Sequence, residues 1–392
     1  MFKRILIYCP TFYPENSGFA NAFLNFIKSL LYFDSNLHVT VITPKQLGDI
    51  PELKIDRLTI CRLKQSPTIP LLGTILKLFF LILHGRFINK YFIRNNFNLF
   101  FVETLEHPFL LLFIDKNILR NTTVRFHGSS DTEHFVFLNS LKYFLKRKCV
   151  KYLLKRRLKW VLSTNTYYID FIKKHYCDDN VLTYANLNFF VLPNTVHVSD
   201  NITIKNVDHN INFLMLGRMD SYGILQKGIT DLILALKLLD KKYYRRINFT
   251  IIGSGDKMDF IKKSFSTINH LNVNFIERLE NNDVAKLIQN NDIIILPSRY
   301  EGLSMFALEG IAYGNICIFS NSGGLTDLVD KNGFLFYPQD FYALSHIINL
   351  IFDLDNDQLM NMKIASLELF NNKFSPFVVY KKFSDLYHLV VG

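Results

Sequence analysis

Cysteine is scarce in this sequence, and the little there is falls in no chemical pattern. The five cysteines, at positions 9, 61, 149, 177 and 317, form no CxxC and no Cys/His cluster. That excludes a disulfide-stapled scaffold and the common structural metal sites, and leaves small core residues of a reducing compartment. Long apolar runs are missing too. The most apolar segment, residues 69–83 (IPLLGTILKLFFLIL), has fifteen residues with Lys77 inside it. It is too short to span a bilayer comfortably and reads as a helix, either buried or lying in a membrane interface. The opening MFKRILIYCP runs from a short basic start into a five-residue strand, without the apolar core or cleavage site of a secretory leader.

Acidic residues are few in the first half. Residues 1–200 hold 26 Lys and Arg against 14 Asp and Glu, while the remainder holds 19 against 20. The net charge of +11 therefore belongs wholly to the first half, and an acidic partner, nucleic acid or anionic lipid, is expected there. Lys142–Trp160 (KYFLKRKCVKYLLKRRLKW) is the main basic element, with nine of its nineteen residues Lys or Arg. Apolar positions 141, 144, 145, 149, 152 and 153 fall close to one helical face, and charges cover the rest. Such a helix suits an anionic membrane surface. No helix-turn-helix, zinc-finger or RNA-binding signature accompanies the charge, so we expect no nucleic-acid partner.

What the chain does have is material for two α/β domains: 392 residues, 49% of them hydrophobic. Strand Arg4–Tyr8, a loop over residues 10–18 and helix Phe19–Leu30 open it as a Rossmann-like domain does. Strands follow at His38–Thr43, Leu58–Leu63, Leu99–Glu103 and Trp160–Ser163, and another ends at Phe126 just before His127-Gly128. Polar residues 197–210 read as a linker. A second series starts with strand Ile211–Leu216, followed by Gly217-Arg218 and, nine residues after the Arg, Lys227 before helix Ile229–Leu239. The intervening SYGILQ reads as a loop insertion. Strand Phe249–Ile252 runs into Gly253-Ser254-Gly255, and Asn274–Leu279 is a further strand and loop that includes Arg278.

Next comes the stretch that organises the chain. The apolar run IIIL ends in Pro297-Ser298, then Arg299-Tyr300-Glu301-Gly302, then LSMFALEGIAYG at helical spacing. In an open α/β sheet, ligands sit where strand ends meet helix starts. Glu301 stands in that crevice and Glu309 two turns on; residues eight apart on a helix are rotated by about 80° and lie about 12 Å apart. Two carboxylates so placed can hold different parts of one elongated ligand. Leu303 and Ser304 offer backbone N–H groups to an anion at the helix start.

This frame, PSxxEG…E…AxG after a buried strand, resembles the Glu-x7-Glu motif of the family-4 glycosyltransferases (glycosyl transferases group 1). Gly217-Arg218…Lys227-Gly228, the loop ending Ser17-Gly18, His127-Gly128, Pro193-Asn194-Thr195 and Gly323-Gly324…Asp327 resemble further motifs, and the likeness runs from residue 6 to about 389. The resemblance implies a GT-B fold, two Rossmann-like domains facing a central cleft with a C-terminal helix crossing back to the first. The domain limits expected are 1–200 for the acceptor, 201–373 for the nucleotide sugar, and 374–392 for the returning helix. It also implies metal-independent transfer with retention at the anomeric carbon, and a UDP or GDP sugar as donor. In these terms Arg218 and Lys227 grip the donor diphosphate, Glu301 the sugar hydroxyls and Glu309 the ribose. Backbone near Gly18, Gly217, Gly302, Leu303 and Ser304 meets phosphates and sugar, Gly253 and Arg278 lie near the base, and His127 lies against the transferred sugar. Glu103, Arg125 and Asp131 become pocket-lining neighbours. No carboxylate is placed as a nucleophile, which fits a front-face reaction in which the leaving phosphate helps deprotonate the acceptor.

The acceptor expected is a glycan, lipid-linked, in bacterial surface polysaccharide synthesis (capsule, O-antigen or lipopolysaccharide), with the protein cytoplasmic and peripheral on the inner face of the cell membrane. Two alternatives stay open: a nucleotide-sugar epimerase of the same fold, and a membrane-associated binding protein with a decayed site, prompted by Ser17, Thr195 and Asp327. Asp353-Leu354-Asp355 contains a DxD but lies between helical stretches, so it reads as a helix-capping loop rather than a metal site.

Overall fold

The computed structural model describes residues 3–15, 17–45, 53–64, 73–128, 140–177, 184, 186–198, 202–277, 279 and 281–392, without the side chains of 73–78, 281 and 282. The chain forms two compact units, Met1–Thr195 with Pro376–Gly392, and Val196–Ser375.

In the first unit, β1 (Lys3–Tyr8), β2 (Leu37–Pro44), β3 (Leu58–Leu63), β4 (Leu99–Glu103), β5 (Thr122–Phe126), β6 (Trp160–Ser163) and β7 (Asn188–Val191) form one sheet. Its order is β3-β2-β1-β4-β5-β6-β7, and all its pairings are parallel. Parallel strands are covered on both faces, and so β1 and β4 are near-continuous apolar runs rather than alternating ones. Helices α1 (Gly18–Phe33), α2 (Gly73–Arg94), α3 (Lys116–Arg120), α4 (Leu141–Arg156) and α5 (Thr166–Tyr176) connect them. Ser17 Oγ accepts from Ala20 N at 3.2 Å and Asn165 Oδ1 from Tyr168 N at 3.0 Å, so both polar residues cap helix starts. The last helix, Pro376–Val391, packs on α1 through Phe383 against Phe26 (5.6 Å between centroids) and Tyr380 against Phe33 (5.5 Å).

The second unit repeats the plan with β8 (Ile211–Leu216), β9 (Ile247–Ile252), β10 (Asn272–Ile276), β11 (Ile293–Leu296), β12 (Ile316–Ser320) and β13 (Gly333–Phe336). The order is β10-β9-β8-β11-β12-β13, again parallel throughout. Its helices are α6 (Ser221–Lys227), α7 (Ile229–Lys237), α8 (Met258–Phe265), α9 (Asn281–Asn290), α10 (Met305–Ala312), α11 (Phe341–Ile351) and α12 (Asn356–Lys373). In each sheet the order reverses beside the first strand, between β1 and β4 and between β8 and β11. Those two switch points are where such sheets bind ligands, outside the carboxyl ends of the strands.

Four expectations are corrected. SYGILQ is not a loop insertion: Asp220 Oδ1 accepts from Gly223 N at 2.6 Å and caps α6, which carries Lys227 at its end. Residues 202–210 are not a free linker, because Val207 is buried in the second core and Lys205 O accepts from Lys363 Nζ at 3.0 Å. The units divide at Thr195/Val196 and Ser375/Pro376 instead of 200/201 and 373/374, since Val196 and Phe374 both belong to a second-unit core cluster. Finally, α10 begins only at Met305, so Glu301 lies in the preceding loop and the helical spacing does not relate it to Glu309. The DxD loop has the capping role expected: Asp355 and Gln358 form a capping box on α12, and Asp353 accepts from Tyr243 Oη at 2.6 Å.

Candidate active site

At the switch point of the second sheet, the loop after β8 and the loop after β11 lie side by side. Lys227 Nζ stands 2.5 Å from Glu301 Oε2, with the two side chains 14% and 11% exposed. Ser298 Oγ donates to the same carboxylate oxygen at 3.3 Å, and Ser320 Oγ donates to Ser298 O from β12. The backbone is fitted to this approach. Gly228 has φ +63°, and a Cβ there would lie 2.0 Å from Pro297 O. Lys227 crosses so close over Gly217 that a Cβ on that glycine would be 3.0 Å from its Cγ. Glycine is therefore required at 228, where the chain turns from α6 into α7 directly beneath the β11 loop.

The strap holding this arrangement was not legible in the sequence. Arg299 Nε and Nη2 donate to Asp231 Oδ2 and Oδ1 at 3.0 and 2.8 Å, and Arg299 N donates to Gln226 O at 2.7 Å. Nothing in the spacing of an Arg and an Asp 68 residues apart signals this pair. The hydrogen bonds that Arg299 donates to Asp231 raise its pKa further.

Arg218 sits differently. Its side chain is 63% exposed and pairs with Asp220, Nε at 3.0 Å and Nη2 at 2.5 Å from Oδ2. That pairing and the N–H of Gly223 lower the Asp220 pKa. The Gly253-Ser254-Gly255 turn supports the Arg218 loop: Met219 N donates to Ser254 O at 3.0 Å, and a Cβ on Gly253 would lie 1.9 Å from Gly217 O. On the other side of Glu301, a Cβ on Gly323 would lie 1.8 Å from Glu301 O, and Gly324 N donates to Gly302 O at 3.1 Å. The Gly-Gly pair thus seats the Glu301–Gly302 backbone.

Leu303 and Ser304 are buried at the start of α10, which Ser304 caps by accepting from Ala307 N at 3.4 Å. Glu309 lies on this helix, half-buried, and burial pushes its carboxyl up to about 7. Arg278 and Asp131 lie outside the described residues.

In the first unit, a Cβ on Gly18 would meet nothing within 4 Å. His127 follows β5, its side chain 10% exposed, with Nε2 2.5 Å from Oε1 of the fully buried Glu103. Arg125 is paired to the same carboxylate. Burial alone would raise Glu103, but the Arg125 charge and the hydrogen bonds from His127 and Arg125 outweigh it and hold the carboxyl below its ordinary value.

The basic helix α4 is oriented otherwise than its spacing predicts. Cys149, Val150, Leu153 and Leu154 face the core, whereas Leu141, Phe144, Leu145 and Tyr152 are exposed. The exposed face thus mixes apolar residues with Lys142, Lys148, Lys155 and Arg156. The spacing argument failed because it merged two faces, one packed and one not. On α2, Phe79, Leu83 and Phe87 form a second exposed stripe four residues apart, while Ile88 and Phe92 are buried; residues 69–72 lie outside the described residues. Among the described residues, no helix is long and apolar enough to cross a membrane, and no group of three or more His, Cys, Asp or Glu could hold a metal ion.

Residues 203–366 match a family model described as glycosyl transferases group 1. An uncharacterised glycosyltransferase of Haemophilus influenzae is 32% identical over 161 residues, 40% of this chain and 41% of that protein. An Escherichia coli UDP-Gal:alpha-D-GlcNAc-diphosphoundecaprenol alpha-1,3-galactosyltransferase is 30% identical over 142 residues, 36% of each chain. These matches thus span about two fifths of the relatives' length. A glycosyltransferase structure from Rickettsia africae is similar over 99% of this chain and 98% of that one, with a TM-score of 0.71 at 17% identity. The chain thus has the GT-B fold, and its residues 203–366 are similar to the glycosyl transferases group 1 family.

Proposed function

We propose that this protein is a glycosyltransferase that moves a sugar from a nucleoside diphosphate donor to a glycan acceptor, without a metal and with retention at the anomeric carbon. The observation that carries the reading is the Lys227–Glu301 contact at 2.5 Å, made at the switch point of the second sheet. A departing nucleoside diphosphate needs fixed cations where its charge develops. Lys227 keeps two further donors while paired with Glu301, and Arg218 exchanges exposed Asp220 for phosphate oxygens. Glu301 then accepts from sugar hydroxyls, Glu309 accepts from the ribose, and His127 supports the reacting face of the sugar. With no carboxylate serving as nucleophile, the leaving phosphate takes the acceptor proton on the same face.

We take the donor to be a UDP or GDP sugar and the acceptor to be lipid-linked, at the inner face of a bacterial membrane in surface polysaccharide synthesis. The E. coli relative's name, with its diphosphoundecaprenol acceptor, supports this class. So does the exposed face of α4, which pairs Leu141, Phe144 and Tyr152 with basic residues.

A thermal-shift screen of the purified protein against UDP-, GDP-, ADP- and dTDP-sugars in chelator tests the donor site. Stabilisation by one nucleotide class, lost in Lys227→Ala, is the expected result. No stabilisation by any would favour a binding protein with a decayed site.

A further inference from the structure

Inside the first unit, one buried carboxylate gathers contacts from neighbouring strand ends. Glu103, the last residue of β4, and Arg125, on adjacent β5, are both fully buried. Arg125 Nε lies 3.2 and 3.1 Å from the two oxygens of Glu103, and its Nη2 contacts Oε1. Its Nη1 donates to Leu192 O at 3.3 Å, just past β7. The guanidinium also lies against two rings, 4.6 Å from the centroid of Phe26 and 5.7 Å from that of Phe101. His127 Nε2 meets the same Oε1 at 2.5 Å, and Phe19 packs edge-on against the imidazole at 4.8 Å.

Stability does not account for this array. Replacing a buried ion set with apolar residues of similar volume is often neutral or stabilising, because desolvation offsets the attraction. What the array does supply is a fixed imidazole. An ionised carboxylate can only accept, so Nε2 must carry the proton it donates. Phe19 and Glu103 together then hold the plane of the ring.

We propose that Glu103, itself held by Arg125, is a positioning residue for His127. It keeps the proton on Nε2, which donates to Glu103, and fixes the ring plane that His127 presents to the sugar. This rests on the proposed role of His127 in transfer, but half of its test does not.

Nitrogen-15 NMR of histidine-labelled protein, with His127 assigned by its loss in His127→Asn, reads the ring directly. The wild type should show a protonated Nε2, and Glu103→Gln should shift the His127 signals toward mixed tautomers. Unchanged His127 signals in Glu103→Gln would overturn the proposal whether or not transfer is ever detected. Because Glu103→Gln leaves Arg125 as an unpaired buried charge, Glu103→Gln with Arg125→Met is made in parallel and should shift the same signals.

Kinetics give the second reading. Glu103→Gln should lower kcat about 10- to 100-fold with donor KM nearly unchanged, yet cost nothing further in a His127→Asn background. Losses that multiply in the double variant would mean that Glu103 acts independently of His127, against the proposal.

Discussion

Arg299 reaches from the loop after β11 to grip Asp231 near the start of α7 with two hydrogen bonds of 3.0 and 2.8 Å. The pair brackets the Lys227–Glu301 contact: Asp231 lies four residues past Lys227, and Arg299 two before Glu301. Removing Arg299 leaves a carboxylate only 7% exposed without its charge partner. Arg299→Ala should therefore destabilise the protein by about 2–4 kcal/mol in chemical denaturation and also lower transfer. Arg299→Ala with Asp231→Ala should recover part of that stability but not the activity.

Gly228 is the other half of this junction. Its φ of +63° and the 2.0 Å approach of a built Cβ to Pro297 O combine backbone strain with a clash against backbone. An L-residue in this conformation costs about 1–2 kcal/mol before any displacement of the loop. Gly228→Ala should thus destabilise by more than about 2 kcal/mol and lower kcat, because the shift separates Lys227 from Glu301. An unchanged melting temperature would contradict the geometry.

Glu309 gives a pH signature. Burial raises its folded pKa to about 7, from an ordinary value of 4.5. Between these values the folded protein holds a proton that the unfolded chain has released. The contribution of Glu309 to stability is therefore greatest below about 4.5, falls as pH rises to about 7, and stays low above it, at most about 3 kcal/mol in all. Glu309→Gln should be more stable than wild type above pH 7 and should not differ in slope below 4.5. Nucleotide affinity should rise with pH through about 7 in the wild type, as the carboxylate that accepts from ribose forms, and should be flat in the variant by titration calorimetry.

The exposed face of α4 makes a prediction that salt can dissect. Each Lys or Arg near an anionic surface contributes about 1 kcal/mol. Lys148→Glu with Lys155→Glu should abolish cosedimentation with phosphatidylglycerol vesicles at low salt, and Phe144→Ser should weaken what salt does not reverse. Equal binding to neutral vesicles would argue for a purely apolar contact.

The sequence carried the strands well, because strands of a parallel sheet are short, dense apolar runs such as IIIL before Pro297 and ILIY after Arg4. It also marked Lys227 and Glu301, 74 residues apart, as members of one frame, and the structure brings these two into contact. Side-chain partners were beyond it. The Arg299–Asp231 and Glu103–Arg125 pairs join residues 68 and 22 apart in the chain, the first across a loop and a helix start and the second across adjacent strands. The α6 helix was hidden because its seven residues include Gly223 and carry no apolar repeat; its start depends on the Asp220 cap. The orientation of α4 was lost for the opposite reason, an excess of apolar residues on both faces.

The most direct test of the account is release of free nucleoside diphosphate by purified protein, in chelator, with the donor that stabilises it and an acceptor extract from bacterial membranes. The account predicts acceptor-dependent release by the wild type, reduced at least about 100-fold in Glu301→Gln and in Lys227→Ala while both variants keep the wild-type circular dichroism. Full activity in either folded variant, or an altered sugar nucleotide with no diphosphate released, would contradict it.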